Sequence, residues 1–230
     1  MLLFLSILIS YIPDQEHKEN GNDDIKEIFV GFKENFTNIK LRISLLFTIV
    51  VNIAMLGFNA TIIYYLQDQL KLSNSLVGIV YSIAGFGSLI AVTLLSTFLN
   101  KKDAFILMNI SMATIPLVIM ASGIVENWIF FGICYSILSG LITIASVSIT
   151  TIQQQESTEY NIGKILSSSF VIATIFAPFG GILAAYFNWL LNPRLSLVIL
   201  GLLSSLLVIL IKSYEKKLTK KRTAIFIKED

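Results

Sequence analysis

A chain of 230 residues with 55% hydrophobic residues, 14% charged residues and a mean hydropathy of +0.77 lacks the polar surface of a soluble domain, where about 25% of residues are charged, so lipid is the solvent that fits it. One cysteine, Cys134, excludes an intrachain disulfide, and one histidine, His17, excludes haem or zinc centres built on several histidines. A net charge of +2 gives no sign of nucleic-acid binding, and no cofactor is expected.

The first segment, Met1–Ile12, is apolar but only 12 residues long, ~18 Å as a helix and too short to cross a bilayer. It reads as the cytoplasmic end of a preceding span whose first part is missing. An interfacial segment is the alternative, as is a signal peptide, although the basic n-region and small-residue cleavage site are absent. Residues 13–42 form a linker. Within it Ile25, Ile28, Phe29, Phe32, Phe36 and Ile39 recur at steps of three and four, one apolar face of a helix, with Asn22 or Asp23 as its N-cap. Such a helix lies along the cytoplasmic surface, either coupling two halves of a larger protein or anchoring the chain.

Six uncharged apolar windows follow: Ile43–Tyr65, Leu76–Leu99, Ala104–Ile124, Trp128–Thr150, Ile165–Leu190 and Leu195–Ile211. Each approaches the ~20 residues that a helix needs to span the hydrocarbon, so residues 43–211 are expected to form a six-helix transmembrane domain. Of the 17 Lys and Arg residues only Lys71 and Arg194 fall on one side of this layout. The positive-inside rule makes the other side cytoplasmic, with both termini there, in a multi-pass cell-membrane protein. Residues 212–230 form a basic tail that anionic lipid attracts.

The spans hold no ionisable group other than tyrosine and Cys134, so recognition rests on amides, hydroxyls and backbone. In the first span Asn52 and Asn59 are seven residues apart and share a face; they contact substrate or bond another helix. In the fourth, Ser136, Ser139, Thr143, Ser146 and Thr150 step by three or four beside Gly132 and Gly140. They line an aqueous path, or bond back to their own helix and permit close packing. In the fifth, Ser169, Ala173, Ala177, Gly181 and Ala185 form a small-residue ridge for helix packing, widened by Gly180 and Ala184, and Pro178 removes a backbone donor. Gly78, Ser82 and Gly85, with Gly87 nearby, repeat this on the second span.

Enzyme readings fail on residue inventory. An intramembrane serine protease needs a histidine base and an aspartyl protease needs intramembrane Asp, and Gly163-Lys164 lacks the first glycine of a phosphate loop. The chain is not expected to be an enzyme.

Three local features carry a resemblance. Asp24-Ile25-Lys26-Glu27 through Gly31-Phe32, then Leu41-Arg42, enters the first span. Gly85-Phe86-Gly87-Ser88-Leu89 precedes Leu99-Asn100-Lys101-Lys102. Ala177-Pro178-Phe179-Gly180-Gly181 lies in the fifth span. With the span count and loop lengths, the chain resembles the C-terminal half of a major facilitator superfamily transporter, most closely the macrolide-efflux branch. The loop at Lys101-Lys102 departs from the family's fuller acidic-and-basic pattern. The resemblance implies an all-α membrane protein of two three-helix inverted repeats, preceded by the amphipathic cytoplasmic helix. It also implies ion-coupled efflux of small hydrophobic compounds by alternating access. The partners would be the bilayer, a small-molecule substrate, and an N-terminal half or a second copy. The cavity-lining helices of the family correspond to the first, second, fourth and fifth spans. This gives Asn52, Asn59, Tyr81, Ser82, Tyr135, Ser139, Thr143 and Thr174 as cavity candidates. The packing candidates are Gly78, Gly85, Gly87, Ala173, Ala177, Pro178, Gly180 and Gly181. The alternatives are the membrane domain of an ATP-driven transporter and a non-transporting scaffold. The first needs long cytoplasmic helical extensions and an ATPase, and the second needs a stable partner and no polar cavity.

Overall fold

A computed structural model describes residues 30–99 and 103–229, with side chains up to residue 97 and from 103 to 218. The described residues form a short linker helix over 30–37 and six long helices: α1 Ile39–Tyr64, α2 Asn74–Leu94, α3 Ala104–Ile124, α4 Trp128–Gln155, α5 Ile162–Leu190 and α6 Pro193–Glu229. All six are long and apolar enough to cross a bilayer. The expected spans match them, α3 on the same bounds. The others run further into polar sequence, because backbone hydrogen bonding does not stop where hydropathy falls. The extension is largest in α6, where the basic segment from Lys212 continues the helix. The apolar stretch Met1–Ile12 and the helical positions Ile25, Ile28 and Phe29 lie outside the described residues.

Helix starts are written locally. The side-chain oxygens of Asn38, Asp103 and Asn127 accept the backbone N–H of Lys40, Phe105 and Ile129 at 2.8–2.9 Å, and Ser73 caps Leu76 at 3.4 Å. At their C-terminal ends α1 and α2 widen into π turns, Tyr65–Gln69 and Leu95–Leu99.

The packing follows an internal symmetry. α1 lies along α5 and α6, α4 lies along α2 and α3, α3 meets α6, and α1 touches α4. Exchanging the first three helices for the last three maps this set of neighbours onto itself. α1 and α4 start at opposite ends of the bundle, so the two repeats are inverted. The symmetry reaches single residues. A Cβ on Gly87 (α2) would overlap the Ser136 carbonyl oxygen of α4, and one on Gly180 (α5) would overlap the Ile53 carbonyl oxygen of α1. Four residues after each carbonyl stands another glycine. A Cβ on Gly140 would lie 3.1 Å from the Gly87 oxygen, and one on Gly57 would lie 3.1 Å from the Gly180 oxygen. Two reciprocal glycine pairs therefore let the backbones of α2/α4 and α1/α5 touch at equivalent crossings.

Between them sits an apolar core with Phe47, Phe58, Ile62, Met108, Met112, Ile119, Phe131 and Leu138 fully buried. Phe131 stacks with Phe58 and Tyr65, ring centroids 6.3 and 5.0 Å apart. At the end poor in basic residues, Arg194 opens α6 and closes α3. Its Nε and Nη2 donate to the carbonyls of Gly123 and Ile124, each at 3.1 Å, and Nη1 pairs with Glu126 at 2.6 Å. Its fork satisfies carbonyls that a helix end leaves unbonded, and the Tyr65 hydroxyl donates to the next, Val125.

Candidate functional site: a polar cluster on the open face

α2 and α5 flank the bundle, and α3 and α6 form its back. α1 and α4 therefore present one side of each between the flanks. On α1 that side carries Asn52, Leu56, Asn59 and Ile63, which fall within ~60° of one another at 100° per residue. Leu56, Asn59 and Ile63 are exposed, Asn52 is partly buried, and the opposite side of α1 is buried. The two amides thus share the open face.

Asn59 has company there. The Tyr135 hydroxyl of α4 donates to the Asn59 Oδ1 at 3.5 Å, the outer limit of a hydrogen bond. Tyr135 also meets the Tyr81 ring of α2 edge-on at 5.6 Å and Phe58 at 5.2 Å. Tyr135 is 7% exposed, Tyr81 37%. The fold thus gathers Asn59, Tyr81 and Tyr135, from three helices, into one aromatic–amide cluster. A neutral cluster with two phenols and one amide offers ring faces, donors and an acceptor, and the long Tyr135–Asn59 bond is readily exchanged for one to a ligand.

The other cavity candidates are placed differently. Ser139 bonds Ser88 at 2.6 Å across the α2/α4 contact. Thr143 donates to the Ser139 carbonyl at 3.0 Å, and Ser82 to the Gly78 carbonyl at 2.9 Å. These hydroxyls are satisfied without a ligand. Thr174 is exposed on α5, seven residues from Gly181 and on the same side. A Cβ on Gly181 would face Leu56 of the open stripe at 3.9 Å.

Among the packing candidates, Ala173 is 1% exposed and Gly87 and Gly180 make the backbone crossings. Ala177 is half-buried and Pro178 is exposed inside an unbroken α5. The ridge does not continue to Gly181 and Ala185. From Ala177 the contact steps by three to Gly180, then to Ala184, which is fully buried. Steps of four drift by 40° each on a helix of 3.6 residues per turn, and the neighbouring helix follows the axis rather than the drift. Gly78 and Gly85 stand on the outer face of α2, where a Cβ on either would meet nothing within 4 Å.

A groove of about 240 Å³ between α2 and α4 is lined by Gly87, Ile90, Leu94, Ile137, Gly140 and Ile144 among others. Ile137 and Ile144 lie opposite Tyr135 on α4, so this apolar groove faces away from the cluster.

The sequence did not show how the linker is fastened. Asn35, fully buried, donates to the Ile165 carbonyl at 3.1 Å and to Ser168 Oγ at 2.8 Å, and accepts from Ser169 at 3.0 Å. Gly31 lies against the Lys164 carbonyl with no room for a Cβ. Asn161 bonds Glu34 at 2.6 Å. Lys40 and Asn38 both reach Glu156, at 2.6 and 3.1 Å, and the Lys40 hydrogen bond is the main cause that holds the Glu156 carboxyl below its usual range. The inward face of the linker helix is thus Gly31 and Asn35, while Phe36 is 54% exposed. The Ile165 carbonyl and the hydroxyls of Ser168 and Ser169, near the start of α5, take the amide, and Phe36 turns outward.

Six apolar spans in two inverted three-helix repeats, with an uncharged polar cluster on an open side, define a membrane transporter bundle. The family model described as Major Facilitator Superfamily matches residues 1–168. The chain belongs to the major facilitator superfamily, a family of membrane transporters. Neither a curated relative nor a solved structure matches it.

Proposed function

We propose that this bundle is the C-terminal half of an ion-coupled exporter of small hydrophobic compounds, of the macrolide-efflux type, working by alternating access against a second six-helix unit. The observation that carries the reading is the Asn59–Tyr81–Tyr135 cluster, which sits on the side that α1 and α4 share between α2 and α5. A half of a facilitator supplies one wall of a midplane cavity, and this side has the chemistry of such a wall: ring surface, two phenols, amides and no fixed charge. On this reading the proton-carrying group belongs to the second unit, since the spans hold no carboxylate or histidine.

In native cells, Asn59→Ala and Tyr135→Phe are expected to raise accumulation of a hydrophobic dye. Each removes one polar contact to substrate, about 1 kcal/mol or ~5-fold. Ile137→Val, on the groove that faces away, should leave accumulation unchanged. Equal accumulation in all three, at equal membrane abundance, would remove the cluster from the transport path.

The orientation we infer puts the Lys-rich end in the cytoplasm. In a Cys134→Ser background, single cysteines replacing Ser73 and Glu126 are expected to react with an impermeant maleimide in intact cells. Those replacing Lys101 and Ser157 should react only after permeabilisation. The reverse pattern would invert the topology.

A further inference from the structure

We propose that Arg42 and Tyr214, at the basic end of the contact between α1 and α6, form a binding site for the phosphate of an anionic membrane lipid. Arg42 immediately precedes the uncharged run that begins at Ile43, and Ile211 ends the uncharged run of α6. Both side chains therefore sit at the boundary between hydrocarbon and headgroups, at the same end of one helix–helix contact. The Arg42 guanidinium lies over the Tyr214 ring, 5.4 Å from its centroid. That contact fixes the plane of the guanidinium without using its N–H donors. The Arg42 Nε is buried and has no hydrogen-bond partner, and the ion pairs Lys40–Glu156 and Arg194–Glu126 do not involve it.

A buried guanidinium N–H with no acceptor is costly, and arginine most readily satisfies its fork with the two oxygens of a carboxylate or phosphate. The carboxylate next to Tyr214 in sequence, Glu215, has its own partner, and Lys212 is the cation that acts on it. Three residues beyond Tyr214, Lys217 stands exposed on the same side of α6, where it adds charge above a bound headgroup. Phosphate chemistry could also be met by the free ion. The boundary position and the buried Nε favour a phosphodiester whose acyl chains anchor it in the bilayer.

The test uses the purified full chain in a neutral detergent, titrated with phosphatidylglycerol or phosphatidylcholine and read by native mass spectrometry. The first phosphatidylglycerol is expected to bind well ahead of phosphatidylcholine. Arg42→Gln should weaken that step ~10-fold, as loss of a charge-assisted pair does. Tyr214→Leu, which keeps the charge and removes the ring that orients it, should weaken it ~3-fold and serves if Arg42→Gln does not fold. Lys71→Gln, at the other end of the bundle, should change nothing. Unaltered phosphatidylglycerol binding in both site variants, equal binding of phosphatidylcholine, or displacement by millimolar inorganic phosphate would each overturn the proposal.

Discussion

Gly180→Leu is expected to prevent this chain from folding, whereas Gly181→Ala one position along should fold as well as the parent. At Gly180 the first carbon of any side chain would overlap the Ile53 carbonyl oxygen and lie 3.0 Å from the Gly57 nitrogen. Those are backbone atoms of α1, so no rotamer change relieves the clash and the helices must separate. Separation also breaks the reciprocal approach of Gly57 to the Gly180 oxygen. Overpacking of a close-packed contact costs about 1–3 kcal/mol even where side chains can yield, and here they cannot. At Gly181 the nearest atom is the Leu56 Cδ2 at 3.9 Å, an ordinary contact, and alanine gains up to ~1 kcal/mol of helix propensity over glycine. The inverted symmetry extends the expectation to α2: Gly87→Leu should fail like Gly180→Leu, and Gly85→Leu, in open space, should not. Monodisperse yield on gel filtration and the unfolding midpoint in detergent measure all four. Equal behaviour of Gly180→Leu and Gly85→Leu would show that the crossings are not backbone contacts.

How far the sequence led differs by feature. The spans were legible because bilayer thickness imposes a length and an uncharged interior, and Ala104–Ile124 came out on its final bounds because Asp103 caps one end. The shared face of Asn52 and Asn59 was legible from a spacing of seven. The exact line of contact on α5 was not, because small residues at 177, 180, 181, 184 and 185 allow two ridges and the direction of α1 selects one. Glycines alone did not separate Gly87, jammed against Ser136, from Gly85, facing open space; the difference lies in the neighbour. The fastening of the linker had no local signal at all. Asn35 and Ser168 are 133 residues apart, and a lone asparagine beside an aromatic stripe reads as solvated. The Ser and Thr stripe of α4 divides as either reading alone would not have it. Ser139 bridges to α2 and Thr143 bonds back to its own helix, while Tyr135 reaches the amide.

The extent of the open side follows from the same geometry. Across its most apolar stretch α5 is only 17% buried and α2 28%, against 56% for α1. The flanking helices carry large exposed side chains, among them Phe86, Leu89, Phe170 and Phe179, and Gly78 and Gly85 leave room for close approach. Lipid covers such faces as well as protein does, so the functional claim rests on the cavity that a second unit would close.

The most direct test is transport by the chain alone. Purified, shown to be monomeric by cross-linking, and reconstituted into liposomes with an imposed pH gradient, it is expected to move no hydrophobic dye against its concentration. With one wall of the cavity and no intramembrane carboxylate, it has neither an occluded site nor a proton carrier. Co-reconstitution with an N-terminal six-span facilitator half should restore gradient-driven dye movement, and Asn59→Ala should then reduce it. Gradient-driven dye transport by the isolated monomer would contradict the account.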